Sequence, residues 1–391
     1  MTSRTWYETQ HLASEALFTI YPSFILSHPL FQGLHPFHSQ GPCGGFSTQY
    51  ACYCDYYNLP YREEVAWDVD TIYFSHDSHE LCLTDFEHLE QRDLICIISA
   101  LEHNTWFTKL RASANTAKLA GDVVDKILAV VAKSPSLQEL HLSSAGVRWE
   151  FFQRLAGAMG SNQYCNLNTL DISLNFVEDR GLISIANVLA HFPRGTRYFL
   201  RNNILALIFT LFRHINLAHC TLTGKGVNNL CQALITNKLS LNSLTYLNLS
   251  GNCLKEEVTS LVNFLAQPNV VSILDLSSTE VPSELLFGAL VRGCTTHLSH
   301  LNLARNPFCA RKSKGDIPPT FKQFFATTLG LKYLNLSHGK LPLEALKALL
   351  LGLACNEATG DVELNISTNC LGAGGAAVME HALPGVSCVS R

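Results

Sequence analysis

The sequence predicts an α/β fold: a leucine-rich-repeat solenoid, a horseshoe of the ribonuclease-inhibitor-like kind with one strand and one helix per repeat. Three observations predict it: a strand-and-turn motif, its recurrence along the chain, and amphipathic stretches between the copies. The fullest copy is Leu244-Thr-Tyr-Leu247-Asn-Leu249-Ser-Gly-Asn252-Cys-Leu254, with the spacing L-x-x-L-x-L-x-x-N-x-L. Leu247 and Leu249 alternate with polar neighbours at period two, which buries one strand face and exposes the other. Asn252 turns the chain, its amide bonding backbone groups that so short a strand leaves unpaired.

The motif recurs with first apolar positions at Phe107, Leu137, Leu167, Phe212, Leu244, Val271, Leu298 and Leu331, and a weak last copy starts at Asp361. Steps between copies run from 27 to 33 residues, except for 45 between Leu167 and Phe212. Steps this long carry a helix rather than an extended return. Helices are accordingly expected at Asp122–Ser134, Trp149–Met159, Gly181–Phe192, Lys225–Ile235, Ser283–Arg292 and Leu343–Leu353. In the first, Val123, Val124, Ile127, Leu128, Val130 and Val131 form an apolar face, with Asp122 placed to cap it.

A solenoid uses a chain of 391 residues as one unit. The formal net charge is −4 and charged residues are 15%, so no global field favours nucleic acid or anionic membrane. The 14 cysteines are scattered and lack the spacing of a secreted disulfide scaffold, which points to a reduced, intracellular protein. Asn248-Leu-Ser250, Asn335-Leu-Ser337 and Asn365-Ile-Ser367 match the N-glycosylation acceptor but fall inside predicted strands. A glycan there would obstruct the sheet, so they too point away from the secretory pathway. No basic segment followed by an apolar core opens the chain, and neither Ile204–Phe212 nor Ala16–Phe31 is long enough to span a bilayer.

Taken in order, residues 1–40 carry aromatics, prolines and four histidines (His11, His28, His35, His38) without a period, and read as a disordered leader. Residues 41–105 read as a linker and N-terminal cap with a first irregular repeat. Leu81 and Leu83 form an early strand there, Asp93–Glu102 a first helix. Residues 106–391 read as the repeat array. The 45-residue step contains Tyr198-Phe-Leu-Arg-Asn-Asn-Ile-Leu-Ala-Leu-Ile-Phe-Thr-Leu-Phe, which matches no repeat position, so 197–213 reads as an insertion. The tail Pro384-Gly-Val-Ser-Cys-Val-Ser shows no capping pattern, and an uncapped, truncated array is expected.

Several stretches outside the repeat consensus are more individual. Glu-Glu-Val-Ala-Trp-Asp-Val-Asp-Thr-Ile-Tyr at 63–73 and Trp106-Phe-Thr-Lys-Leu110 are two. Others are Phe264-Leu-Ala-Gln-Pro-Asn269, Gly288-Ala-Leu-Val-Arg-Gly-Cys294, Pro318-Pro-Thr-Phe-Lys-Gln-Phe-Phe325 and Leu346-Lys-Ala-Leu-Leu-Leu-Gly-Leu-Ala-Cys-Asn356. With these the chain resembles the CARMIL family, the capping-protein regulator and myosin-I linker proteins, from about Gly41 to Leu371. The resemblance implies a cytoplasmic, cytoskeletal regulator of actin capping protein at the leading-edge plasma membrane, acting in protrusion and migration. It implies actin-cytoskeletal proteins as partners and no cofactor. In the family a membrane-binding domain precedes the repeats, and residues 1–40 do not resemble it, so membrane association is not expected of this chain. The family's capping-protein motif, myosin-I-binding region and dimerisation segment follow the repeats.

No nucleophile elbow, zinc spacing or phosphate loop is present; Gly372-Ala-Gly-Gly375 reads as the turn before a helix. A non-enzymatic scaffold is expected, with neither nucleic acid nor a small-molecule substrate. The other readings are a ligand-sensing or inhibitory horseshoe, as in innate immune receptors or ribonuclease inhibitor, and a GTPase-activating horseshoe. Function would sit on the concave face. Between the two core leucines of each strand stand His141, Asp171, Asn216, Asn248, Asp275, Asn302, Asn335 and Asn365. Two residues earlier stand Glu139, Thr169, His214, Tyr246, Ile273, His300, Tyr333 and Glu363; two residues later, only Ser or Ala. The columns suit a partner groove anchored by Tyr246, His300 and Tyr333, or an internal hydrogen-bond ladder. A basic loop over 305–319 holds Arg305, Arg311, Lys312 and Lys314, fit for an acidic partner, lipid headgroups or plain solvated surface.

Overall fold

A computed structural model describes residues 41–112, 119–191, 198–201, 204–207, 212–255, 258–309 and 317–382. Ten three-residue strands form one open parallel sheet. They are β1 (Glu80–Cys82), β2 (Lys109–Arg111), β3 (Glu139–His141), β4 (Thr169–Asp171), β7 (His214–Asn216), β8 (Tyr246–Asn248), β9 (Ile273–Asp275), β10 (His300–Asn302), β11 (Tyr333–Asn335) and β12 (Glu363–Asn365), adjacent in that order. The register never slips: Leu140 pairs with Leu170, Leu170 with Ile215, and Leu247 with Leu274. These central side chains are buried while their neighbours on either side are not, so the period-two alternation fixes the register. The sheet starts one repeat earlier than Phe107, because β1 pairs with β2. Leu83 leaves that strand and enters a short 3-10 turn.

Helices return the chain between strands. In order they are α1 (Phe46–Tyr57), α2 (Glu63–Trp67), α3 (Leu94–Ala100), α4 (Gly121–Lys133), α5 (Trp149–Ser161), α6 (Glu178–Leu189), α7 (Gly224–Thr236), α8 (Thr259–Leu265), α9 (Glu284–Gly293), α10 (Pro319–Thr327), α11 (Leu343–Ala354) and α12 (Gly372–Ala382). All seven expected helices, the first at Asp93–Glu102 included, are present within a few residues of their predicted ends. Asp122 does not cap α4: Ala120 holds the cap position without a side-chain bond, and Asp122 lies in the first turn, where its charge suits the helix dipole. Gly372-Ala-Gly-Gly375 opens α12 rather than preceding it. In the last copy the buried anchor is Val362, not Asp361, which is exposed.

An aromatic cluster closes the end of the stack before β1. Phe46 and Tyr73 meet Phe107 edge-on, with ring centroids 5.6 and 5.8 Å apart. The Tyr73 hydroxyl donates to Asp85 at 2.6 Å and accepts from the Cys82 backbone at 3.3 Å, which ties the cluster to β1.

Asparagines satisfy the backbone at both ends of the strands. Beyond the exit turn, Asn175, Asn252, Asn306 and Asn369 are buried, each donating to a carbonyl of its own repeat and to one of the repeat before. Their Oδ1 atoms accept from backbone N–H groups of that preceding repeat. The preceding repeats carry Ala145, Cys220, Thr279 and Gly339 at the same place, so one asparagine serves two repeats. Immediately after those four residues the backbone turns left-handed, at Gly146, Thr221, Glu280 and Lys340. At the helix side, Asn162 and Asn356 likewise bond carbonyls left open by the helix before.

The long step holds a separate antiparallel hairpin, β5 (Tyr198–Arg201) with β6 (Ile204–Leu207). The sheet passes it by, since Thr169 of β4 pairs directly with His214 of β7. Phe212 is only 5% exposed, and the Arg213 amide donates to Asn168 at 2.7 Å, so these two residues belong to the β7 repeat. The leader 1–40 and Arg311, Lys312 and Lys314 of the basic loop lie outside the described residues. No described helix is long and apolar enough to cross a membrane.

Candidate interaction surface

The strand register aligns the outward side chains into columns. One runs Glu139, Thr169, His214, Tyr246, Ile273, His300, Tyr333, Glu363; beside it run His141, Asp171, Asn216, Asn248, Asp275, Asn302, Asn335, Asn365. The register thus brings these sixteen residues into two adjacent columns.

The second column is bonded mostly to its own backbone. From Asp171 to Asn365 each side-chain oxygen accepts the amide two residues on, for example Ser250 to Asn248 at 2.9 Å and Ser277 to Asp275 at 2.8 Å. Two cross-strand bonds also exist: Asn216 donates to Asp171 at 3.0 Å and Asn302 to Asp275 at 2.9 Å. Two further amides reach into the first column on their own strands. Asn248 donates to the Tyr246 hydroxyl at 3.3 Å, and Asn335 to that of Tyr333 at 3.2 Å.

The first column is more open. His214 and His300 are exposed, and Tyr246 and Tyr333 are half-buried. The rings pair as His214 with Tyr246 at 5.8 Å and His300 with Tyr333 at 6.0 Å. Burial holds the His214 imidazole below its ordinary range, aided by Arg213 and His141 and opposed by Glu139.

Toward β1 the face is ionic. Lys109 bonds Glu139 at 2.9 Å, His141 meets the other oxygen of that carboxylate at 3.2 Å, and Arg111 pairs with Glu80. Burial pushes the Glu139 carboxyl up, but Lys109 and His141 outweigh it and hold it below its ordinary range. Sequence reasoning missed Glu80, Lys109 and Arg111, although extending the two columns across Lys109-Leu-Arg111 finds the cations. Arg305, the described member of the basic loop, is exposed at a left-handed turn outside both columns. No cluster of three or more metal-ligating side chains occurs among the described residues. No disulfide joins any of the thirteen described cysteines, and burial pushes the Cys220 thiol up to about 12.

Comparison with known proteins agrees with this architecture. The human "Capping protein, Arp2/3 and myosin-I linker protein 3" is 43% identical over 350 residues, 89% of this chain and 24% of that protein. Mouse linker protein 2 is 34% identical over 92% of this chain and 24% of its own length. "Protein CARMIL" of Dictyostelium discoideum is 28% identical over 86% of this chain and 30% of its own length. The chain thus spans about a quarter of the length of the curated relatives it matches. The description "CARMIL family, LRR domain" matches residues 43–391, and the chain belongs to that family.

Proposed function

We propose that this chain is a non-enzymatic interaction scaffold of the actin cytoskeleton, docking protein partners on the concave face of β4 to β12. Family membership carries the cytoskeletal part of this reading, with regulation of actin capping protein in protrusion as the process served. The two half-exposed His–Tyr pairs support the concave face as the docking surface, because aromatic anchors dominate interface energetics. The human relative's name joins capping protein, Arp2/3 and myosin-I, and these are the partners to try first. A cytoplasmic site at the leading edge suits the three glycosylation motifs on the sheet, where Asn248, Asn335 and Asn365 each accept a backbone amide.

The test immobilises residues 1–391 and offers purified capping protein, Arp2/3 complex and myosin-I. At least one should be retained, with affinity falling about tenfold in the Tyr246→Ala/Tyr333→Ala double variant. Retention of none would sink the actin-scaffold reading; full retention by the double variant would move the docking surface elsewhere. These residues alone are expected not to uncap filaments, since the resemblance puts the capping-protein motif after the repeats. Uncapping as strong as that of a full-length relative would refute this.

A further inference from the structure

The concave face contains the same surface twice. In β4, β7 and β8 the first column reads Thr169, His214, Tyr246; in β9, β10 and β11 it reads Ile273, His300, Tyr333. The second column reads Asp, Asn, Asn in both sets, and the third reads Ser, Ala, Ser in both. The bonds repeat as well as the letters. Asparagine donates to aspartate at 3.0 and 2.9 Å, and asparagine donates to the tyrosine hydroxyl at 3.3 and 3.2 Å. Building the sheet does not require this pattern, because β2 and β3 continue the same register with Lys109, Arg111, Glu139 and His141 in these columns.

Each tyrosine has a carboxylate on the next strand, directly across for Tyr333 and diagonally across for Tyr246, whose own register partner is Ile273. The Asn248 bond pins the Tyr246 hydroxyl over the second column, where Asp275 is the register partner of Asn248. Tyr333 is itself the register partner of Glu363. From β4 to β12 the three columns carry Asp171, Asp275 and Glu363 and not one lysine or arginine. The side-chain hydrogen-bond partners of the two aspartates are neutral, Asn216 and Ser173 for Asp171 and Asn302 for Asp275, so these bonds leave the charge uncompensated. An aromatic ring beside a carboxylate suits a guanidinium or ammonium group, through cation–π attraction and charge together.

We propose that the concave face binds a basic segment of a partner protein through two cation sites, Tyr246 with the diagonal Asp275 and Tyr333 with Glu363 directly across. The assignment rests on the concave face being the docking surface and specifies what docks there. Three strand spacings separate the two tyrosines, about 14 Å. An extended chain covers that distance in about four residues, so two arginines four positions apart reach both sites at once.

The probe is a fluorescent synthetic peptide with two arginines four residues apart in a Gly/Ser background, titrated against residues 1–391 by anisotropy at low salt. Controls carry one arginine, or two glutamates in place of the arginines. The two-arginine peptide should bind more tightly than the one-arginine peptide, weaken as salt is raised, and outbind the glutamate peptide. Tyr246→Ala and Tyr333→Ala should each weaken it by a similar factor, about threefold to tenfold. Asp275→Asn serves as the second kind of variant: asparagine stands at that place in β8 and β10, so the fold is kept while the charge goes, and binding should again weaken.

Equal binding of the arginine and glutamate peptides would overturn the proposal, as would indifference to both tyrosine variants. A loss at only one tyrosine would overturn the duplication. If the peptide fails while a purified partner is still captured in a Tyr246- and Tyr333-dependent way, the cation sites are wrong and the docking surface stands. If the peptide binds as proposed and the three actin-related proteins do not, the actin-scaffold reading fails and the cation sites stand.

Discussion

Asn252 and Asn248 lie four residues apart in one repeat and do different work. Asn252 is 1% exposed, donates to Leu217 and Leu249 carbonyls at 2.8 Å each, and accepts from Cys220 and Leu222 amides at 2.9 and 3.0 Å. Removing it orphans backbone groups of two repeats in a buried place, which costs about 3 kcal/mol. Asn248 is half-buried and bonds one local amide and a tyrosine hydroxyl, so truncation there costs about 0.5–1 kcal/mol. Denaturant melts of Asn252→Ala and Asn248→Ala should therefore differ severalfold in lost stability; equal losses would mean the turn does not depend on the buried amide. The turn role of Asn252 was legible in the motif spacing. Its service to the neighbouring repeat was not, because a single motif does not show that Cys220 leaves its own turn amides for Asn252 to accept. Asp122 misled for a related reason: an acidic residue before an apolar face fits the cap and the first turn equally well, and only the backbone angle at Ala120 separates them.

Among the elements, helices and strands were largely readable because each buries one face at its own period, and the outward columns followed once the strands were in register. The duplication of the His–Tyr pairs is also written in the letters, yet it becomes a surface only when the rings and amides are seen to bond alike in both sets. The hairpin β5–β6 was legible as a break in step, but its downstream end was misplaced. Phe212 fills a core position and Arg213 bonds in the strand ladder, so the segment to remove is 197–211. Its deletion returns the step from Leu167 to Phe212 to 30 residues, the step of the two preceding copies. It also shortens the connection after α6 to the length of the one from Thr236 to Leu244. Loop closure then becomes easier by about 1 kcal/mol, and an apolar run is lost. The deletion variant should melt about 1 °C higher and aggregate less. A lower melting temperature would show that the hairpin supports the stack.

Across the whole molecule each repeat packs only on its neighbours, so a local electrostatic change should be felt locally rather than as uniform weakening. His214 and Glu139 lie two strands apart in one column and titrate in different windows. The folded protein holds His214 below its ordinary value near 6.5, so the unfolded chain binds the proton first; stability falls as pH drops through that value and levels off below the folded one. Glu139 is also held low, near Lys109 and His141, so its contribution is intact above its ordinary value of 4.5 and disappears as pH falls through the folded one. Between pH 7.5 and 5.5 only the histidine effect of this pair operates. Amide hydrogen exchange, corrected for intrinsic rates, should therefore quicken over that interval at β4, β7 and β8 more than at β11. His214→Gln removes the titrating ring and should flatten the change at β7 while leaving the acid loss below pH 4.5 in place. An unaltered exchange profile in that variant would place the acid sensitivity in another repeat. A uniform quickening from β1 to β12 would show that the horseshoe opens as one cooperative body rather than repeat by repeat.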